Sequence, residues 1–129
     1  MEKIFDQALI KVFLQQASEA SRRRINMDLR NGMADTSQRM LNALMPDTVV
    51  PIHRHEDTSE TVVCLCGKLE EIFYELVDES KNEYREIARY LLSPSDGCYG
   101  MQIPQGVWHT IQVLEPSVIF EAKDGAYIG

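Results

Sequence analysis

Two of the three histidines in this chain of 129 residues lie only one residue apart. The stretch "PIHRHEDTSETVVCLCG" contains His53 and His55 and, five positions later, Glu60, while His109 follows a Pro-x-Gly turn. Residues two apart on a strand point to the same face of a sheet. Imidazole nitrogens and a carboxylate oxygen form a ligand set that suits Fe, Mn, Ni, Co or Zn. The spacing therefore predicts a site for one divalent transition-metal ion, with these four residues as candidate ligands.

A site of three histidines and one carboxylate leaves one or two coordination positions of the metal open, as a catalytic metal requires. It also leaves a divalent ion with one residual positive charge, which suits an anionic or polyhydroxylated ligand. We therefore expect Zn, Fe, Mn or Ni, with a small-molecule ligand or substrate beside it. The candidate ligand-binding residues are Arg39 and Gln102, which are polar residues in strand-like runs, and Trp108, which either closes the pocket mouth or packs in the core.

The elements that must position these residues change character along the chain. Near the N-terminus, apolar residues recur at helical spacing, namely Phe5, Leu9, Val12, Phe13 and Ala17. This pattern predicts an amphipathic helix of about four turns. Residues 25–37 suggest an irregular crossing segment. We therefore expect residues 1–37 to brace a barrel formed by residues 38–129.

From residue 38 onward, short runs rich in branched and aromatic residues alternate with turn signals. The runs are "QRMLNAL", "TVVPIHRH", "ETVVCLC", "LEEIFYELV", "YREIARYLL", "MQIP", "WHTIQVL" and "SVIFEA". Such a pattern predicts a mainly β fold, an antiparallel sandwich or barrel of the jelly-roll type. "YREIARYLL" is also compatible with a helix, but its position between two turn clusters favours a hairpin. Cys64 and Cys66 are expected to pack as small apolar side chains on the interior face that carries Glu60.

Composition excludes several classes of function. The net charge of −7 argues against a broad surface for nucleic acid or anionic membranes. No apolar stretch reaches the roughly 18 to 20 residues of a membrane span. Three cysteines are an odd number and too few for a disulfide framework. We expect a cytoplasmic protein with reduced thiols and neither nucleic-acid nor membrane partners.

The spacing of the candidate ligands resembles the two cupin motifs. His53-x-His55, four residues, Glu60, six residues and a glycine fit the first motif, and "PQGVWH", which ends in His109, resembles the core of the second. The resemblance implies a double-stranded β-helix barrel with the metal inside, held by the three histidines and Glu60. Cys98 and Val113 stand where the motif usually has glycine and asparagine, but neither position is a ligand.

A closer resemblance, over nearly the full length, is to the WbuC-type cupin metalloproteins of surface-polysaccharide gene clusters. "RRRINMDL", "QRMLNALMPDTVVPIHRHEDTSETVVCLCGKLEEIFYE" and "GVWHTIQV" carry it. It implies a metal-binding cupin with a link to surface-polysaccharide metabolism, without naming a reaction. A further histidine common in that family is absent here, where Asp28, Leu29 and Arg30 occupy the stretch.

Two classes of function follow from these residues. In the first, the chain is a metal-dependent enzyme that acts on a small polar substrate, sugar-derived or anionic. In the alternative, the same site binds a small molecule such as a sugar without turnover, as a sensor or accessory protein. By analogy with other barrels of this kind, a homodimer is expected.

Overall fold

The computed structural model describes residues 2–125, which form one α-helix, six strands and two short 3-10 helices. The helix is α1 (Gln7–Glu19), the strands are β1 (Arg24–Asp28), β2 (Ser37–Leu44), β3 (Glu60–Asp78), β4 (Glu83–Leu92), β5 (Gly100–Ile103) and β6 (Trp108–Asp124), and the 3-10 helices are Glu79–Lys81 and Pro94–Asp96. The strands pair antiparallel in the order β1-β2-β6-β3-β4, and β5 also pairs with β3. The predicted mainly β fold with an N-terminal helix is confirmed.

Two long strands replace four of the predicted short ones. β3 covers both "ETVVCLC" and "LEEIFYELV", and β6 covers both "WHTIQVL" and "SVIFEA". β3 pairs with β5 along its first residues and with β4 along its second half, while β6 pairs with it from Glu60 to Tyr74. β3 therefore continues through a bend between Cys64 and Leu69 instead of ending there. We call this bend the corner, and it closes the interior.

The corner depends on Gly67. Three register shifts between β3 and β6 lie between Cys64 and Leu69. Gly67 has φ +94°, and a Cβ at this position would lie 2.3 Å from Ser117 Oγ and 2.4 Å from the carbonyl oxygen of Pro116. A side chain is therefore excluded both by the backbone conformation and by the close approach of β6.

The corner also decides which side chains face inward. Before it, the even-numbered residues Glu60, Val62 and Cys64 are buried and face inward. The apolar ones belong to the inner cluster, a set of buried apolar residues that comprises Leu44, Val62, Cys64, Leu69, Phe73, Leu92, Ile103, Val113 and Ile119. After it, inward positions change from even to odd numbers, as Leu69 shows. Cys66 packs instead against the outer cluster, between the sheet and α1. The expectation that Cys64 and Cys66 share one face was therefore wrong for Cys66, because the register shift falls between them.

The helix forms where the apolar spacing predicts it. Asp6 caps its N-terminus by accepting a hydrogen bond from the backbone N–H of Leu9 at 2.9 Å. Phe13 and Ala17 are buried in the outer cluster, whose buried members are Phe13, Ala17, Leu41, Ala43, Met45 and Val118. α1 therefore covers the outer face of β2 and β6. None of the helices within residues 2–125 is long and apolar enough to cross a membrane.

Two other segments differ from the sequence-based expectation. The segment 25–37 contains most of β1, which pairs with β2 and places Asn26 opposite Asn42. The run "TVVPIHRH" is not a ladder strand but an extended segment with a single bridge, between His53 and His109. One reason that this run does not form a ladder is that Pro51 has no N–H to donate. "YREIARYLL" is a strand, β4, in a hairpin with β3.

We expect Gly67→Ala to lower the free energy of unfolding by about 3 kcal/mol, because it adds a clash with backbone atoms to an unfavourable φ. Gly97→Ala is a matched control, since Gly97 also has positive φ but a Cβ there would meet nothing within 4 Å. The control should cost about 1 kcal/mol. Chemical denaturation measures both, and equal losses would show that the approach of β6 does not constrain Gly67.

Candidate metal centre

Backbone hydrogen bonds place the three histidines side by side. The N–H of His53 donates to the carbonyl of His109 at 3.0 Å, and the N–H of His109 donates back at 2.8 Å. The N–H of Gly106, in the turn before β6, donates to the carbonyl of His55 at 2.8 Å. The ring centroids of His53 and His109 are 4.3 Å apart, and His55 lies 5.2 Å and 5.6 Å from them. Two segments distant in sequence therefore present three imidazoles to one point.

The ring nitrogens of His53 and His109 are oriented as metal ligands. Nδ1 of His53 lies 2.9 Å from the carbonyl oxygen of Pro51, and Nδ1 of His109 lies 2.9 Å from that of Val107. A carbonyl only accepts, so each Nδ1 carries the proton and each Nε2 keeps a free lone pair. Nε2 of His109 is buried and has no hydrogen-bond partner among the described residues.

The charge state of these rings also suits a metal. Burial lowers the pKa of both His53 and His109 below the ordinary value, so both rings are neutral at pH 7. One ligand atom from each of His53, His55 and His109 lies within 4.8 Å of the others. The three histidines could therefore hold a divalent transition-metal ion.

Glu60, the predicted fourth ligand, lies beside this group. Its Oε2 is 3.0 Å from His55 Nε2 and 3.8 Å from Lys123 Nζ. Burial alone would raise the pKa of Glu60, but the hydrogen bond with His55 and the positive charge of Lys123 outweigh it and lower the pKa. Glu60 is therefore a carboxylate, next to the histidines, in the state that a metal ligand requires.

A cavity of about 150 Å³ extends from the histidines into the barrel. It is lined by Arg24, Asn42, Leu44, Val50, His53, Glu60, Glu71, His109, Ile111 and Glu121. Glu71 is only 2% exposed, and its Oε1 is buried without a hydrogen-bond partner in the described chain. Glu121 accepts a hydrogen bond from Asn42 Nδ2 at 2.9 Å. We call this space the inner cavity.

Glu71 and Glu121 keep their protons at neutral pH. Burial, followed by the negative charge of Glu60, raises the pKa of Glu121 to about 8. Burial, followed by the charges of Glu121 and Glu60, raises the pKa of Glu71 well above its usual range. The inner cavity therefore contains two carboxylic acids that can donate as well as accept hydrogen bonds. Neither residue is predicted as a site residue from the sequence, although Glu71 alternates with the buried Leu69 and Phe73 on β3.

A larger groove opens outside the histidines, with a volume of about 1270 Å³. Trp108 lines this outer groove, where its ring contacts the guanidinium of Arg54 at 4.6 Å and the ring of Tyr84 at 5.3 Å. Trp108 therefore lies at the mouth of the site and faces away from its neighbour His109.

The structure does not bring Arg39 and Gln102 to either space. Arg39 donates to Asp35 Oδ2 at 3.1 Å and to the carbonyl of Ser37 at 2.7 Å. Gln102 is exposed and donates to Ser59 Oγ at 3.3 Å. Both side chains lie outside the two sets of lining residues, because their strands turn the neighbouring positions inward.

Comparison with known proteins supports the fold. A family model described as a domain of unknown function (DUF6016) matches residues 5–85. No curated protein matches the chain significantly. The chain is similar to TT1209 from Thermus thermophilus, with a TM-score of 0.65, 15% identity and coverage of 96% of this chain and 98% of that one. It is also similar to KdgF from Halomonas sp., with a TM-score of 0.57, 16% identity and coverage of 81% and 80%.

A third similar structure is the capsular polysaccharide assembling protein CapF from Staphylococcus aureus. The TM-score is 0.62 at 21% identity, and the match covers 84% of this chain but only 30% of CapF. The chain thus spans less than a third of the length of CapF. CapF and KdgF are cupin-fold proteins, so the predicted cupin fold is confirmed.

The protonated state of Glu71 predicts a pH dependence of stability. Its pKa is raised on folding, so the stabilising contribution of the neutral acid is complete below the unfolded pKa and is lost as the pH rises towards the folded value. In metal-free protein, Glu71→Gln should therefore gain stability relative to the unchanged chain between pH 5 and pH 8. Denaturant titrations at several pH values measure this difference.

Glu70→Gln provides the matched control, because Glu70 lies next in sequence on the outer face, 3.2 Å from Arg89. It reports the effect of removing a neighbouring carboxyl that is not buried in the cavity. A stability difference between Glu71→Gln and the unchanged chain that stays constant over this pH range would contradict the protonated state.

Proposed function

We propose that this chain, which belongs to the DUF6016 family, is a metal-dependent cupin enzyme that acts on a small polar substrate. One divalent transition-metal ion (Zn, Fe, Mn or Ni) binds to His53, His55 and His109, with Glu60 as the fourth ligand. The substrate, sugar-derived or anionic, occupies the inner cavity beside it.

One observation carries this proposal: the buried, unpartnered Nε2 of His109 at the point where the three imidazoles converge. A buried nitrogen without a partner costs the fold about 1–3 kcal/mol. A metal ion would satisfy this nitrogen, and the carbonyl groups at the Nδ1 atoms hold the rings in the orientation that such an ion needs. A purely structural role for three convergent histidines leaves that cost without compensation.

The metal ion and the residues around it have separate roles in the proposed reaction. When bound, the ion supplies Lewis-acid polarisation of a substrate oxygen. Glu71 and Glu121 line the same cavity as protonated acids, each of which can give a proton to a substrate oxygen, which is the role of a general acid. Asn42 holds Glu121 in place through its hydrogen bond. Trp108 lies at the outer opening as a contact surface for the exposed part of a substrate.

The wider setting is proposed from resemblance. The WbuC-type motifs favour a role in surface-polysaccharide metabolism, and CapF, which shares the fold, is described as a capsular polysaccharide assembling protein. A cytoplasmic location, a homodimer and a bracing role for residues 1–37 belong to the same proposal.

We expect the purified protein, prepared without chelator or a histidine tag, to carry about one divalent transition-metal ion per chain. The double variant His53→Ala, His55→Ala should lose at least nine-tenths of this metal. Cys64→Ser is the control, because Cys64 packs in the inner cluster. It should keep the metal and lose about 1–2 kcal/mol of stability. Elemental analysis gives the occupancy, and full loading of the double variant would refute the ligand assignment.

A metabolite screen on the metal-loaded protein tests the reaction. A sugar-derived or anionic compound should raise the midpoint of thermal unfolding, and mass spectrometry should then detect its conversion. Glu71→Gln should retain binding but slow conversion by about 10²- to 10⁴-fold, the usual contribution of a general acid or base. Stabilisation without conversion would reject the enzyme and support the alternative, a sugar-binding or sensor protein.

A further inference from the structure

We propose that the inner cavity selects a small hydroxy acid, whose carboxylate binds Arg24 and whose hydroxyl group binds the carboxyl groups of Glu71 and Glu121. This inference rests on the proposed function and deepens it by naming the class of substrate. It follows from the positions of one cation and two carboxyl groups around the same cavity.

Arg24 has no anionic partner in the described part of the chain. Its Nη1 donates to Thr48 Oγ1 at 3.2 Å and to the carbonyl of Val49 at 3.0 Å, both of them neutral groups. No carboxylate within residues 2–125 forms an ion pair with it, whereas the adjacent Arg23 pairs with Asp47 at 2.9 Å. Arg24 lines both the inner cavity and the outer groove, so it lies at the junction between them. A guanidinium in such a position is suited to a carboxylate of a bound molecule.

The two carboxyl groups lie elsewhere around the same space. Glu71 and Glu121 line the inner cavity but not the outer groove. Oε1 of Glu71 is buried without a partner among the described residues. A carboxyl oxygen accepts a hydrogen bond from a hydroxyl group whether or not the carboxyl is ionised. The cavity therefore separates an anion-binding group from hydroxyl-binding groups, and one molecule that carries both functions can bridge them.

The size of the space limits the bridging molecule. A cavity of about 150 Å³ is comparable to one that holds a benzene-sized molecule. A compound of roughly three to six carbons fits this volume. A neutral polyol of that size would leave the charge of Arg24 uncompensated, and a simple carboxylic acid would leave Glu71 without its partner. Both losses disfavour those compounds, because a charge without a counter-ion and a buried polar atom without a partner each reduce affinity.

Three probes of equal carbon number separate these contributions: racemic glycerate, glycerol and propionate. Dissociation constants are measured on zinc-loaded protein by NMR, from the arginine Nε–H signals, with the Arg24 signal assigned by its loss in Arg24→Lys. We expect glycerate to shift the Arg24 signal and to bind at least tenfold more tightly than either other probe. Equal binding of glycerate and glycerol, or of glycerate and propionate, would overturn the proposal.

Variants then assign each preference to its residue. Arg24→Gln should reduce glycerate to the affinity of glycerol, and Arg24→Lys should restore part of the difference. Glu71→Leu should reduce glycerate to the affinity of propionate, whereas Glu71→Gln, which still hydrogen-bonds, should not. Arg22→Gln is the control, since Arg22 lines only the outer groove. Should Arg24→Gln and Arg22→Gln bind glycerate equally well, Arg24 does not select the carboxylate.

The same samples distinguish failure of this inference from failure of the proposed function. Zinc content is determined on each sample by elemental analysis. Bound zinc with no preference for glycerate rejects the hydroxy-acid subsite alone. If zinc, iron, manganese and nickel all fail to bind, the metal-dependent function fails. The three probes are then compared on the metal-free protein, where loss of the preference for glycerate rejects the subsite as well.

Discussion

The two backbone hydrogen bonds between His53 and His109 are the interaction on which the site depends. The segment before β3 makes no ladder of its own, so this single bridge fixes where it crosses the mouth of the barrel. In a hydrogen-bonded antiparallel pair the two side chains point to the same face, which brings the imidazoles together without any side-chain contact being required. The N–H of Gly106 then fixes His55 through its carbonyl. The arrangement of the three histidines is thus a property of the backbone.

The free-energy cost of burying polar groups inside a barrel must be offset by apolar packing around them. The inner cluster supplies that packing between the two halves of β3, and α1 with the outer cluster covers the other face of β2 and β6. Glu71 and His109 are buried with polar atoms that no described residue satisfies, which weakens the fold where they lie. Buried polar atoms without hydrogen-bond partners are expected at functional sites and not in an ordinary core.

The sequence predicts well that the three histidines lie together and that the fold is mainly β, because both features have local signatures. The spacing of His53 and His55 requires only the two-residue period of an extended chain, and the helix requires only its apolar stripe. Glu71 could not be predicted in the same way. The corner at Gly67 changes the inward positions of β3 from even to odd, so counting from Glu60 places Glu71 on the outer face. A bulge that alters the phase of a strand is visible only once the partner strand is known.

Glu60 and Glu71, which are buried, and Glu121, which is half-buried, share one interior, and their different charge states follow from their neighbours. Three carboxylates so close together in a medium of low polarity cannot all be ionised. Glu60 is the one that keeps its charge, because Lys123 and His55 lie within 4 Å of it. Glu71 and Glu121 lack so close a cation among the described residues and therefore remain acids. The contacts of Glu60 with His55 and Lys123 thus separate a carboxylate suited to bind a metal ion from two acids suited to hydrogen-bond a substrate, and this separation gives the barrel two kinds of polar site within one cavity.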